Sequence, residues 1–213
     1  MNAKNSPRER EKNLPASLRA CRNEEIPYEN AEVSGEVLVG ECFEMLSVCR
    51  CDFSSCTLSD CDFSRASFTE VTFFGCDLSN SDFSDAYFSN CRFVGCKLLG
   101  CRFCQSIRHG VSFSECNLSF ASFSESKSDK ESFCDCLMRD AVLSACDMKK
   151  TVLHRCVLQG CSFFRTSLSG MDLTDNNLEG LVLSESLREL RGAILSSEQC
   201  EIVARLLGIR IHS

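Results

Sequence analysis

A large apolar residue returns at every fifth position from Phe53 to Leu183. Of the 27 such positions, 12 are Phe, 11 are Leu and two are Met, and only Arg108 and Ser128 depart. Two residues earlier in each unit stands a side chain that is usually small, as at Cys51, Cys56, Cys61, Ala66, Cys76, Ser81 and Ala86. A period of five fits neither the 3.6 residues of a helix nor the 2.0 of a flat strand, so neither element could keep both marked positions on one buried side over so long a stretch. A chain that turns a corner at each unit can do so. Both marked side chains then point into a tube, and successive coils stack through backbone hydrogen bonds, as in other solenoids.

Taking every fourth unit sorts the large residues into columns. One column reads Phe53, Phe73, Phe93, Phe113, Phe133, Leu153, Leu173, and the next Leu58, Leu78, Leu98, Leu118, Met138, Leu158, Leu178. The third reads Phe63, Phe83, Phe103, Phe123, Leu143, Phe163, Leu183, and the fourth Phe68, Phe88, Arg108, Ser128, Met148, Leu168. Phe and Leu segregate by column, which predicts an all-β, four-sided tube with rings stacked along opposite walls.

The chain has 18 cysteines in 213 residues. Twelve occupy the small inward position, and Cys56, Cys76, Cys96, Cys116, Cys136 and Cys156 form one unbroken column. They read as small buried apolar residues. The charged N-terminus is no secretory signal, so a reduced, cytoplasmic interior is expected. Cys49, Cys104 and Cys134 fall at outward positions and are the candidates for exposed thiols. Zinc ligation wants tight Cys-x-x-Cys pairs repeated at finger spacing, and the chain offers only Cys101-Arg102-Phe103-Cys104, of which Cys101 already belongs to the core; His109, His154 and His212 have no catalytic partner at a defensible spacing. Catalytic residues, cofactor and metal are therefore all read as none. No stretch approaches the roughly 20 apolar residues of a membrane span.

The formal net charge is −7, unevenly distributed. Between Cys51 and Ala86 the acids are Asp52, Asp60, Asp62, Glu70, Asp77, Asp82 and Asp85, against the single base Arg65. The stretch from Cys91 to Gly110 inverts this, with Arg92, Lys97, Arg102, Arg108 and no acid. Lys149, Lys150, Arg155 and Arg165 form a second basic cluster. An acidic end on a rigid rod can occupy a basic DNA-binding groove in another protein, whereas the basic middle argues against mimicry along the whole length.

Two units break the pattern, Ser106-Ile107-Arg108-His109-Gly110 and the polar Ser126-Lys127-Ser128-Asp129-Lys130, the latter followed by Glu131 where a small residue belongs. An arginine inside the tube costs several kcal/mol without a partner. Both units are therefore expected to bulge outward, making Arg108, His109, Lys127, Ser128, Asp129 and Lys130 a candidate functional surface.

The ends read as caps. Residues 1–14 suggest a flexible tail and 15–30 an N-terminal cap, with the repeat region spanning 31–195. In 196–213, Ser196 with Gln199 has capping-box spacing and Gly208 is a helix stop. Ile202, Val203, Leu206 and Leu207, with Ile209 and Ile211, give an apolar side that covers the last coil and leaves surface for a partner subunit.

The triplets Cys51-Asp52-Phe53, Cys61-Asp62-Phe63, Cys76-Asp77-Leu78, Ser81-Asp82-Phe83, Cys116-Asn117-Leu118 and Met171-Asp172-Leu173 resemble the Ala-(Asp/Asn)-Leu-X-X consensus of the pentapeptide repeat proteins. That resemblance implies a right-handed quadrilateral β-helix with four pentapeptides per coil. The stretch Thr166 to Leu173, the segment from Leu190 to Ile211 and the Asn13-Leu14-Pro15 start are similar to the Qnr-type quinolone-resistance proteins, particularly those of Gram-positive bacteria. For those proteins the resemblance implies a homodimer through the C-terminal helices, binding to DNA gyrase and topoisomerase IV, and protection from fluoroquinolones partly by DNA mimicry. It implies no direct nucleic-acid binding. Gram-negative Qnr-type proteins carry loop insertions important for protection, whereas here the register runs without a net shift from Phe53 to Leu183. The stretches around Arg108 and Ser128 are the only places for a loop. A scaffold or toxin-immunity role with a different partner, and a thiol-based redox or metal-binding role, stand as the other readings.

Overall fold

The computed structural model describes residues 14–211. Leu14–Asn23 form helix α1, which buries Leu14, Leu18 and Cys21 against the first coil. The tail assigned to residues 1–14 lies, apart from Leu14, outside the described residues.

The repeat then folds as a right-handed four-walled coil. On the wall carrying the Phe68 column, β1 (Tyr28–Glu29), β3 (Ser47–Cys49), β5 (Ser67–Thr69), β7 (Tyr87–Ser89), β9 (Ile107–His109), β11 (Lys127–Asp129) and β13 (Asp147–Lys149) make a parallel sheet. On the adjoining Phe53 wall, β2 (Glu32–Ser34), β4 (Asp52–Ser54), β6 (Thr72–Phe74), β8 (Arg92–Val94), β10 (Ser112–Ser114), β12 (Ser132–Cys134) and β14 (Val152–His154) make the second. Single bridges at the same 20-residue offset run up the Leu58 wall, such as Thr57 to Asp77, and up the Phe63 wall, such as Asp62 to Asp82. Each strand is only three residues or fewer because the chain turns a corner every five. Most corners hold a residue with positive φ, including Asp60, Asn80, Asp85 and Asn90, and Asn and Asp tolerate that conformation best after Gly.

The expected ring stacks are present on opposite walls. Phe53, Phe73, Phe93, Phe113 and Phe133 stack at 4.8–5.2 Å between centroids, and Phe43, Phe63, Phe83, Phe103 and Phe123 at 4.9–5.4 Å. The two stacks meet edge to face, as for Phe113 and Phe123 at 6.2 Å and 85°, the favourable arrangement for ring quadrupoles.

The small inward position has a polar task as well as a steric one. Each column thiol reaches the carbonyl 23 residues earlier on the coil below: Cys76 Sγ lies 3.3 Å from Phe53 O, Cys96 Sγ 3.3 Å from Phe73 O and Cys116 Sγ 3.4 Å from Phe93 O. Ser81 Oγ donates likewise to Leu58 O at 2.7 Å, Thr166 Oγ1 to Leu143 O at 2.5 Å and Asn176 Nδ2 to Leu153 O at 2.9 Å. Cys thus stands where Ala would fit in volume but could not donate to the buried carbonyl.

At the far end a 3₁₀ turn at Arg188–Leu190 precedes helix α2, Ser197–Leu206. The capping box is present: Ser196 Oγ accepts from Gln199 N at 3.2 Å and Gln199 Oε1 from Ser196 N at 2.9 Å. Gln199 also donates from Nε2 to Leu173 O and Asn176 O at 2.7 and 2.8 Å. That one buried side chain closes the last coil, a role its capping-box spacing alone did not indicate.

Candidate partner-binding surface

The seven acids of the N-terminal coils all lie at outward or corner positions, but they are not equivalent. Asp77 and Asp82 are half-buried bridge residues. Burial alone pushes the Asp77 carboxyl up, yet the Ser79 hydroxyl and amide, with Lys97 Nζ at 3.5 Å, outweigh it and hold the group below the usual carboxylate range. Asp82 is held down against burial in the same way by Arg102 and by the Ser84 amide. Asp60 accepts from Asn80 Nδ2 at 3.2 Å and Asp62 from Ser64 N at 2.9 Å. Among the described residues, no ion pair reaches Asp52, Asp60, Asp62, Glu70 or Asp85. These five are the carboxylates free to meet a cationic partner.

The same contacts revise the basic middle. Lys97 and Arg102 stack one coil above Asp77 and Asp82 and are consumed by them. Arg108, counted with them in the sequence, is not on the surface at all. Of the band only Arg92 stands on an outer wall without an ion pair among the described residues.

The two irregular units do not bulge, which corrects the expectation for Arg108, His109, Lys127, Ser128, Asp129 and Lys130 as a looped-out surface. Strands β7, β9, β11 and β13 stay in register through them, with Arg108 opposite Ser128 and His109 opposite Asp129. The Arg108 side chain is 1% exposed and that of Glu131 0%. Arg108 Nε donates to Glu131 Oε1 at 2.5 Å, Nη2 to Oε2 at 3.2 Å and Nη1 to Ser106 Oγ at 2.6 Å. Its guanidinium carbon lies 4.8 Å from the centre of the Phe123 ring. A fork-to-fork pair with stacking is the arrangement that lets a guanidinium leave water. The buried Ser128 hydroxyl lies 3.3 Å from Thr151 Oγ1. Of this group, His109, Lys127, Asp129 and Lys130 remain outward, with His109 Nδ1 3.2 Å from Asp129.

All 18 cysteines are free. Burial pushes the Cys91 thiol up to about 11 and those of Cys101 and Cys161 up to about 12. Cys49, Cys104 and Cys134 are only half-exposed, and the most open thiols are Cys42 and Cys200, which the repeat pattern did not single out. Among the described residues, no group of three or more His, Cys, Asp or Glu side chains is placed to hold a metal ion, and no helix is long and apolar enough to cross a membrane.

At the C-terminus, Ile202 and Val203 are half-buried, while Leu206, Leu207, Ile209 and Ile211 are 41–55% exposed. This is a contiguous run of apolar side chains on and just after α2.

Two protein-family models match the chain, a pentapeptide repeat region over residues 66–130 and pentapeptide repeats over 136–175. No curated protein matches it. Among solved structures, a trypsin-treated QnrB1, described as a plasmid-mediated fluoroquinolone resistance protein, is 22% identical over 86% of this chain and 100% of its own, with a TM-score of 0.37. Full-length QnrB1 is 20% identical over 84% and 100%, with a TM-score of 0.31. HetL, a pentapeptide repeat protein involved in heterocyst differentiation regulation from the cyanobacterium Nostoc sp. strain PCC 7120, is 14% identical over 80% and 91%, with a TM-score of 0.30. None of these three decides what this chain binds. The unbroken five-residue register, the four-walled coil and the two family matches together make the chain a member of the pentapeptide repeat family.

Proposed function

We propose that this protein binds type II topoisomerases, DNA gyrase and topoisomerase IV, and protects them from fluoroquinolones, acting partly as a DNA mimic through its N-terminal coils. The observation that carries the reading is the set of unpaired carboxylates Asp52, Asp60, Asp62, Glu70 and Asp85, held at fixed positions on a rigid solenoid whose facing bases are already neutralised. Fixed negative charge along a rod is what a basic DNA groove selects. The similarity of its C-terminal segment to the Qnr-type proteins supports the same partner. The activity is binding, with no catalytic step.

The test is gyrase supercoiling in ciprofloxacin across a titration of the protein, with a drug-free series alongside. Recovery of supercoiling at equimolar or lower protein is the expected result. Inhibition in both series would leave a gyrase-binding mimic that does not protect, and no effect in either would remove the topoisomerase reading.

The same reading includes a homodimer through α2, because Leu206, Leu207, Ile209 and Ile211 otherwise remain in water. Leu206→Arg places a charge in that interface and is expected to give monomers in sedimentation at concentrations where the unaltered protein is dimeric. A monomeric unaltered protein would end the dimer proposal.

A further inference from the structure

The offset between coils widens near the C-terminal end. Phe163 N donates to Val182 O, 19 residues on, whereas Leu168 N donates to Glu189 O, 21 residues on. Two extra residues therefore enter between Val182 and Glu189. The chain turns there through Leu187, whose φ of 47° is one that a bulky side chain disfavours. The insertion also changes a contact between coils. Where Ala145 N donates to the carbonyl of Phe164, Arg165 N donates instead to the side chain of Glu189. The buried Glu189 carboxylate accepts on Oε1 from Arg165 N at 2.9 Å and Ser184 N at 3.3 Å, and on Oε2 from Ser184 Oγ at 2.8 Å.

Beside Glu189 the coil opens into a recess of about 340 Å³, lined also by Arg165, Arg188, Phe164, Ser167, Ser184 and Ser186. Among the described residues no ion pair reaches Arg165 or Arg188. Burial alone would raise the Glu189 carboxyl, but the Arg165 amide and the Ser184 hydroxyl and amide outweigh it and hold the group below the usual carboxylate range. The recess thus presents two guanidiniums against one carboxylate that three donors already satisfy, and Glu185 on the same loop is exposed and does not line it. Ser167 Oγ accepts from Ser169 N at 3.3 Å, which leaves its proton to donate. Phe164 is 45% exposed, in a column that elsewhere carries Ser64, Ser84, Cys104, Ser124 and Ser144. An aromatic ring enters that column only where the recess opens.

We propose that this recess binds a phosphate monoester attached to a flat ring, as in a nucleoside monophosphate, with Arg165 and Arg188 taking the phosphate and Phe164 stacking on the ring. One guanidinium fork satisfies a carboxylate, whereas two guanidiniums with a hydroxyl donor match the larger oxygen count of a phosphate. The volume stands at the lower end of ligand pockets, roughly 300–1,000 Å³, and leaves room beyond a bare phosphate ion for the group it is attached to. An offset ring over Phe164 covers apolar surface that the coil leaves in water. The site lies at the opposite end of the rod from the acidic coils and does not depend on the topoisomerase reading.

The test is calorimetric titration of the full chain with adenosine 5′-monophosphate, inorganic phosphate and adenosine. The monophosphate should bind at one site and more tightly than either of its parts. Arg165→Gln and Arg188→Gln should each weaken it by about tenfold or more, the loss of a hydrogen bond to a charged group, with the melting temperature unchanged because neither guanidinium holds the coil. Phe164→Ser restores the residue usual in its column and should lower the affinity for the monophosphate to that for inorganic phosphate. Arg92→Gln removes an unpaired charge from a distant coil and should change affinity by less than about twofold. No saturable binding of the monophosphate at about 10 mM overturns the site, as does an equal loss in Arg92→Gln. Binding of the monophosphate no tighter than that of inorganic phosphate overturns the monoester assignment.

Discussion

Phe93→Asp is expected to yield no soluble folded protein. The Phe93 ring lies 4.9 Å from Phe73 and 4.8 Å from Phe113 in its own stack, and meets Phe88 and Phe103 edge-on at 6.1 and 6.4 Å. Losing a buried Phe costs about 3–5 kcal/mol, and an unpaired carboxylate in an apolar tube adds several more. The whole stability of a domain is only about 5–15 kcal/mol. Because coils contact only their neighbours, failure at one coil separates those on either side. Soluble yield and circular dichroism read the outcome, with Phe93→Leu as the comparison. Leu already occupies this wall at Leu153 and Leu173, so that variant should fold. A soluble Phe93→Asp protein with an unaltered spectrum would refute the column arrangement.

Glu131→Ala should be the next most damaging single change among those considered. It leaves the Arg108 guanidinium, with a 1% exposed side chain, without a counter-ion, and breaking a buried pair from one side costs about 3–5 kcal/mol. In a chain of this size that lowers the melting temperature by on the order of 10 °C. The pair itself need not add net stability. Replacing both members with apolar residues is often neutral or better, so Arg108→Met combined with Glu131→Val should recover most of the loss. Val suits the second site because Val111 and Val71 hold that column position one and three turns below. Thermal and urea unfolding of the single and double variants separates the cases. A double variant as unstable as Glu131→Ala would show that the deficit lies in volume, not in charge.

The architecture was readable because period and column content are properties of the chain itself. A repeat of five excludes helix and flat strand, and the 20-residue sorting identifies which rings stack. The capping box at Ser196 and the stop at Gly208 were legible for the same reason, since their partners lie within one turn. What escaped were contacts between coils. Arg108 finds Glu131 at an offset of 23 residues, which is also the offset from Cys76 to Phe53 and from Ser128 to Thr151. A search for complementary charge at that spacing would have found it. The acidic and basic bands likewise looked separate along the sequence, but a solenoid makes neighbours of residues 20 apart. Asp77 with Lys97 and Asp82 with Arg102 therefore cancel.

The offsets of 20 and 23 also govern how such a chain can change length. Removing one residue from a wall would hand every later side chain to the wrong wall, so that inward thiols face water and corner acids enter the tube. Removing 20 consecutive residues leaves each surviving coil seated on an equivalent neighbour, and the rod shortens by a single step of about 4.8 Å. Most of the molecule is thus free to gain or lose whole coils over evolutionary time. The coils carrying Arg108 and Glu131 are not, because a cut that takes one partner strands the other inside the tube.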